Sequence, residues 1–307
     1  MGRKRRLIIV GLPLFAKRLS DSLGSRMKDW EVIHLDTYYK RKDKLKALFM
    51  VPRADVLYSL NGTLSQSRTI DLALKNKVKC IMHWVGTDVL KSTEAFNSGN
   101  YQKNYIHDIV HFCEVNWIRE ELKEINIEAK IMNFAAFEKK FEAVYPKDKK
   151  LRVLSYMSDE RADFYGLPTL IRLAARNPAI EFTVVGAKGE KYSPLPPNLK
   201  ALGWVNNMDK YFDDSHATMR IPEHDGLSTF VLESLARGKK VLYNHPYDHC
   251  IFTPSEKEMQ EVLLSLNDEV SAGTFSPNLS GKTFIEENFN SDYVFSLLIS
   301  EINALLD

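Results

Sequence analysis

The chain has 307 residues, 44% apolar and 27% charged, a composition that excludes general disorder and suits two domains with sizeable cores. Its net charge of +2 hides an uneven split: residues 1–150 hold 28 Lys and Arg against 18 Asp and Glu, and residues 151–307 hold 14 against 22. Cys80, Cys113 and Cys250 are too few and too scattered for a disulfide framework and point to a reducing compartment, and no apolar run approaches the length of a membrane-spanning helix.

The start, MGRKRRLIIVGLPLFAKR, joins a basic run to an apolar stretch as a signal peptide does. Lys17 and Arg18 follow directly and no small-residue cleavage site appears, so Leu7 to Val10 is expected to be a strand. Arg6 stands where N-myristoylation requires Ser or Thr. The basic balance of residues 1–150 fits an anionic partner, such as a membrane surface or a phosphate-bearing acceptor, and solvated faces without a partner explain it nearly as well.

After Gly11 and Pro13 a basic helix runs to about Leu23. Strands follow at Glu31 to Leu35 and Asp55 to Leu60, with a helix over Lys44 to Met50 between them. A helix over Arg68 to Lys75 leads to a strand over Lys79 to Trp84. This alternation implies a parallel, doubly wound sheet, whose ligands bind beyond the carboxyl ends of the strands. His83, Gly86, Thr87 and Asp88 are therefore expected to face a ligand, and a packed structural histidine is the competing reading of His83. Lys91 to Asp108 reads as a mobile loop or a broken helix. A strand over Ile109 to Val115, a helix over Trp117 to Glu124 and a strand over Ala129 to Phe134 complete this half, and Glu138 to Lys150 reads as a linker.

The second half repeats the pattern: a strand over Leu151 to Tyr156, a helix over Leu167 to Arg176, a strand over Glu181 to Val185 ending in Gly186-Ala187-Lys188-Gly189, and a short strand over Ala201 to Val205. The stretch that organises it is HATMRIPEHDGLSTFVLESLARGKKVLY, expected as a strand over Ala217 to Ile221, a turn, a helix over Ser228 to Ala236 and a strand over Lys240 to Tyr243. A helix start carries partial positive charge and unpaired N–H donors, which favour a phosphate. Asp225 lies just before that start and Glu233 eight positions on, so two carboxylates are available to sugar and ribose hydroxyls. In NHPYDHC, His245, His249 and Cys250 raise a metal reading, which Pro246 and the lack of a fourth ligand count against; a loop lining the ligand site is preferred. Phe284 to Leu306 reads as one amphipathic helix.

The run D-G-L-S-T-F-V-L-E-S-L-A-R-G-K-K-V resembles the E-x7-E element of retaining GT-B glycosyltransferases. Asp225 stands for the first Glu, Gly226 matches the first Gly, Ser228 replaces the second Gly, and Glu233 matches the second Glu. His83 to Asp88 is similar to the H-x-x-G-[ST]-D element of the acceptor half, and the order of elements after Leu151 resembles the donor half. The resemblance implies two Rossmann-like domains facing each other across a cleft: 1–145 on the acceptor side and 146–307 binding the nucleotide sugar, with a C-terminal helix crossing back.

It further implies transfer of a sugar from a nucleotide-diphosphate donor, UDP- or GDP-linked, with retention and without metal or other cofactor. The acceptor would be a glycan or an anionic or lipid-linked molecule, as in polysaccharide biosynthesis. Asp225, His83 and Arg161 would be catalytic. Gly186, Lys188, Val205, Arg220, Gly226, Leu227, Ser228, Thr229 and Glu233 would hold the donor, and Gly11, Gly86, Thr87 and Asp88 would line the acceptor side. Tyr165 stands where the family places a diphosphate-binding Lys, which leaves Arg161 as the one cation of that loop. Alternatives are an inactive GT-B-like binding or accessory subunit and a sugar-nucleotide epimerase. The expected setting is cytoplasmic, peripheral at the inner face of a membrane, with no nucleic-acid partner.

Overall fold

The computed structural model describes residues 3–307; Met1 and Gly2, with the start of the myristoylation pattern, lie outside the described residues. Two compact units are present. One ends at Ala136 and takes up Ser291–Asp307; the other is Phe137–Asn290.

The first unit runs β1 (Arg5–Gly11), α1 (Pro13–Arg26), β2 (Trp30–His34), α2 (Arg41–Met50), β3 (Val56–Leu60), α3 (Arg68–Lys75) and β4 (Lys79–Trp84). It continues α4 (Asp88–Asn97), α5 (Lys103–His107), β5 (Val110–Cys113), α6 (Asn116–Glu124) and β6 (Ala129–Ile131). Its six strands are parallel in the order β2-β1-β3-β4-β5-β6. Helices cover a parallel sheet on both faces, so its central strands can be apolar at every position, and Leu7 to Val10 are all buried. Leu7 pairs with Val32 on one side and Val56 on the other, which sets the register. Pro13 starts α1, where its missing N–H costs nothing, and Ala16, Leu19 and Leu23 turn inward at helical spacing.

The second unit runs β7 (Arg152–Tyr156), α7 (Leu167–Arg176), β8 (Glu181–Val185), β9 (Leu199–Ala201), α8 (Asp209–Asp213) and β10 (Ala217–Arg220). It closes with α9 (Thr229–Ala236), β11 (Lys240–Tyr243), β12 (Ile251–Phe252), α10 (Glu256–Ala272) and α11 (Leu279–Asn288). Its parallel order, β12-β11-β10-β7-β8-β9, reverses direction between β7 and β10. α12 (Ser291–Ala304) returns to the first unit, where Val294, Phe295, Leu298 and Ile302 share a core with Leu19 and Leu23.

Several sequence expectations are corrected. Residues 202–205 form no strand: Gly203 adopts φ +68°, outside the β region, and Trp204 is 77% exposed. Lys91 to Asp108 is no mobile loop but the rest of α4 and the short α5, broken by the residues between them. The C-terminal helix expected from Phe284 is two helices, separated at Phe289 and Asn290. The longest helix among the described residues, α10, has no counterpart among the expected elements, although Ser255 and Glu258 form a capping box at its start.

Candidate functional site

In the second unit the strand order reverses between β7 and β10, and in sheets of this kind the ligand crevice opens beyond the carboxyl ends of such neighbours. Tyr156 and Arg220 are the last residues of the two strands, and the Nη1 of Arg220 donates to the Tyr156 carbonyl at 3.3 Å. The loops that follow are bound to each other. Glu223 N–H donates to the Phe164 carbonyl at 2.8 Å, and a Cβ on Gly166 would come within 2.6 Å of Ile221.

The two charged groups of this corner, Arg220 and Asp225, are joined. Arg220 Nε lies 2.8 Å from Asp225 Oδ2 and Nη2 lies 3.0 Å from Oδ1, a parallel two-bond pair. Both side chains are largely buried, and the guanidinium lies over the Tyr165 ring at 4.5 Å. Burial disfavours the Arg220 charge, but the carboxylate beside it outweighs that effect and holds the guanidinium above its ordinary pKa. The Tyr243 hydroxyl lies 3.2 Å from both Asp225 Oδ2 and the Gly226 carbonyl, so its one proton serves either oxygen. Burial, then the Asp225 charge, pushes the Tyr243 phenol well above its usual range, which keeps it a neutral donor. Asp225, expected to reach a sugar directly, is thus part of a polar network. Tyr156, Tyr165 and Tyr243 complete that network, and their positions at strand ends and before the Gly166 turn were its only sequence signal.

The loop leads into α9. Ser228 is its N-cap, yet no side chain closes that cap, so the first-turn N–H groups are not taken by Ser228 or Thr229. Phe230, Val231, Leu232, Ser234, Leu235 and Ala236 are buried, and Phe230 stacks on Phe212 with centroids 5.6 Å apart. Gly281 of α11 leaves room for the close approach, since a Cβ there would lie 2.9 Å from Leu235. With the rest of α9 packed, exposed Thr229 and half-buried Glu233 occupy its open side, four residues apart on one face. Leu227 and Ser228 are buried at its base.

The remaining donor candidates gather around the next strand end. Gly186 adopts φ +94° and approaches the β7 loop so closely that a Cβ would meet the Met157 carbonyl at 2.2 Å. Lys188 N–H donates to Asp159 Oδ1 at 2.9 Å, while its ammonium is exposed near Glu190. Val205 packs, half-buried, against the cluster of Leu154, Val185, Phe212 and Phe230. Arg161 is exposed, with its guanidinium 4.0 Å from the Phe164 ring centre. In the NHPYDHC stretch, the His249 ring contacts Phe284 and Ser280, and burial pushes the Cys250 thiol up to about 12. Among the described residues no three His, Cys, Asp or Glu side chains converge to hold an ion.

In the first unit Gly11, Thr87 and Asp88 line one hollow of about 330 Å³ with Thr37, Tyr38, Asn61 and Lys91. Asp88 is its organiser. The buried carboxylate accepts N–H groups from Gly62 (2.6 Å), Gly86 (2.8 Å), Val85 and Val89, tying the loops after β3 and β4 together. Burial raises its pKa, against the lowering effect of those amides.

His83, expected at a ligand or as a packed structural histidine, takes the packed position and does not line the hollow. It is fully buried, its Nδ1 lies 2.6 Å from the Tyr58 hydroxyl, and Phe112 and Phe134 meet it edge-on. Desolvation lowers its pKa to about 3, so the ring is a neutral core side chain near pH 7.

No family model and no curated protein matches the sequence. Among solved structures the chain is similar to a glycosyltransferase from Rickettsia africae ESF-5, with TM-score 0.68 and 8% identity over 99% of this chain and 100% of that one. It is also similar to Anabaena HepE, solved with UDP and glucose, with TM-score 0.67 and 10% identity over 98% of this chain and all of that one. The pneumococcal O-GlcNAc transferase GtfA, solved with UDP and GlcNAc, matches with TM-score 0.61 and 8% identity over 88% of this chain, which spans only 61% of GtfA. Two parallel six-stranded sheets with flanking helices, matched over nearly their whole length, make the fold of this chain GT-B.

Proposed function

We propose that the chain is a glycosyltransferase that moves a sugar from a nucleotide-diphosphate donor to a glycan or lipid-linked acceptor. The observation that carries this reading is the pairing of an open helix start on α9 with the buried Arg220–Asp225 couple at the turning point of the second sheet. Two of the solved neighbours hold UDP with a sugar.

In this reading the diphosphate sits against the first-turn amides of α9, and Glu233 accepts the ribose hydroxyls. Asp225 uses two of the five Arg220 N–H donors and Tyr156 a third, which leaves the guanidinium oriented to meet the diphosphate with the remainder. Breaking the bond from the anomeric carbon to the donor phosphate places negative charge on the departing diphosphate, where fixed donors are most effective. The acceptor oxygen then bonds to the anomeric carbon and its proton passes to the leaving phosphate, a route that retains configuration and needs no separate base. Arg161 and Lys188 supply further positive charge from the neighbouring loops, Asp225 acts by positioning Arg220, and no metal ion is required.

A second reading, a binding module of the same fold, draws on one observation: Asp225, in place of the first Glu of the motif, is engaged by Arg220 and Tyr243. Release of nucleoside diphosphate decides between them. A set of UDP-, GDP- and ADP-linked sugars is first screened for thermal stabilisation, and the stabilising donor is incubated with and without candidate acceptors. Acceptor-stimulated release supports transfer. Binding without release supports the module, and a changed sugar with no acceptor supports an epimerase.

A further inference from the structure

We infer that the outer face of α2, with Tyr39 beside it, is a docking surface for an anionic membrane. The helix reads RKDKLKALFM, and its inner side is made by buried Ala47 with half-buried Asp43 and Met50. At about 100° per residue, Leu45, Leu48 and Phe49 fall together on the opposite side. They are 61%, 51% and 66% exposed, and Tyr39, in the loop leading into the helix, is 81% exposed. A helix of a water-soluble unit ordinarily turns its leucines and phenylalanines inward, so an outward apolar stripe marks a contact surface.

Charge complementarity identifies the occupant. Lys42 and Lys46 flank the stripe on one edge and Lys44 on the other, all exposed. Asp43, the one acid of the helix, faces inward, accepts the Asp36 N–H at 3.2 Å and lies 3.7 Å from Lys46 Nζ, which leaves Lys42 and Lys44 as the lysines of the rim without an acid of the helix beside them. Apolar side chains at the centre with a cationic rim suit a bilayer interface, where leucine and phenylalanine enter the acyl boundary while lysines reach anionic headgroups. A nucleic-acid surface would call for cations or stacking groups where Leu45 and Leu48 stand. Among the described residues no helix is long and apolar enough to cross a membrane, so the contact is one of lying on the surface.

The surface adjoins the hollow of the first unit, since Tyr38 lines that hollow and its hydroxyl oxygen accepts from Asn61 Nδ2, 3.3 Å away. A lipid-linked acceptor resting in the bilayer would therefore meet the protein beside the hollow. That last link rests on the proposed glycosyl transfer; the docking surface itself does not.

The test is co-sedimentation of the full chain, without nucleotide, with vesicles of phosphatidylcholine alone and of phosphatidylcholine mixed with phosphatidylglycerol. The protein is expected to pellet with the anionic vesicles only, less as salt rises. Lys42→Gln/Lys44→Gln/Lys46→Gln and Leu45→Ser/Leu48→Ser/Phe49→Ser are each expected to weaken binding by about tenfold or more. Should the second triple variant fail to fold, the single variant Phe49→Trp reports instead: its added emission shifts to the blue on anionic vesicles. Wild-type protein that stays in the supernatant, triple variants that bind as well as wild type, or an unshifted Phe49→Trp emission would overturn the proposal. So would a dimer in sedimentation velocity that the apolar variant dissolves, since the occupant would then be a second copy. None of these failures touches donor binding, which is measured separately.

Discussion

Arg220 and Asp225 meet through two parallel hydrogen bonds of 2.8 and 3.0 Å, five residues apart in sequence and on either side of the turn that follows β10. Removing one member of a buried pair leaves the other charged and unpartnered, at a cost of about 3–5 kcal/mol. Asp225→Asn should therefore lower the melting temperature strongly, while Arg220→Met/Asp225→Leu should recover most of it without recovering nucleoside diphosphate release. A stable Asp225→Asn variant, measured by thermal melting, would mean the pair is not what holds this turn.

Glu233 sits on the open side of α9, so removing it opens no cavity in the core. Glu233→Ala is expected to weaken nucleotide-sugar binding by about 1–3 kcal/mol, the range for a lost hydrogen-bond partner, in protein that circular dichroism shows to be folded. Calorimetry that finds unchanged affinity would remove the ribose role.

Acid should destabilise the first unit through its buried histidines. Trp84 Nε1–H donates to His111 Nδ1 at 3.1 Å, so the ring proton lies on Nε2, 3.0 Å from the Tyr105 carbonyl, and the ring is neutral. Burial lowers His83 to about 3 and His111 to about 4, from 6.5. The unfolded chain thus binds protons that the folded chain refuses, and stability present above pH 6.5 is lost as the pH falls towards 4. Melting temperatures should drop across that window, less so in His83→Phe after correction for its lost Tyr58 contact. A flat profile would contradict the burial of both rings.

Gly11 ends β1 with φ +114°, and a Cβ there would lie 1.9 Å from the Leu60 carbonyl oxygen. Backbone strain and forced overpacking each cost roughly 1–3 kcal/mol. Gly11→Ala should therefore destabilise the first unit by more than an ordinary surface change, and an unaltered urea midpoint would show that β1 and β3 can part there.

Much of this architecture was legible because local patterns and tertiary demands agree. Arg68 to Lys75 and Leu167 to Arg176 have the helix bounds their periodicity implied, and the strands Lys79 to Trp84 and Lys240 to Tyr243 are apolar runs bounded by breakers. The strand expected at Ala201 to Val205 failed because hydrophobicity alone cannot show that Gly203 turns the chain and exposes Trp204. His83 failed for a related reason: position at a strand end says nothing of depth, and three aromatic neighbours enclose the ring. The Arg220–Asp225 couple was out of reach because it depends on the path of the turn, which brings a strand residue back against a loop residue. The start of α9 was visible from Gly226 and Ser228, whereas the packing that buries Phe230, Val231, Leu232, Ser234, Leu235 and Ala236 was not.

Titration calorimetry of the wild-type chain and of Arg220→Met and Glu233→Ala with UDP-, GDP- and ADP-linked sugars tests the donor site most directly. At least one donor should bind the wild type with one-to-one stoichiometry and bind both variants more weakly. Failure of every donor to bind, or equal binding by all three proteins, would contradict it.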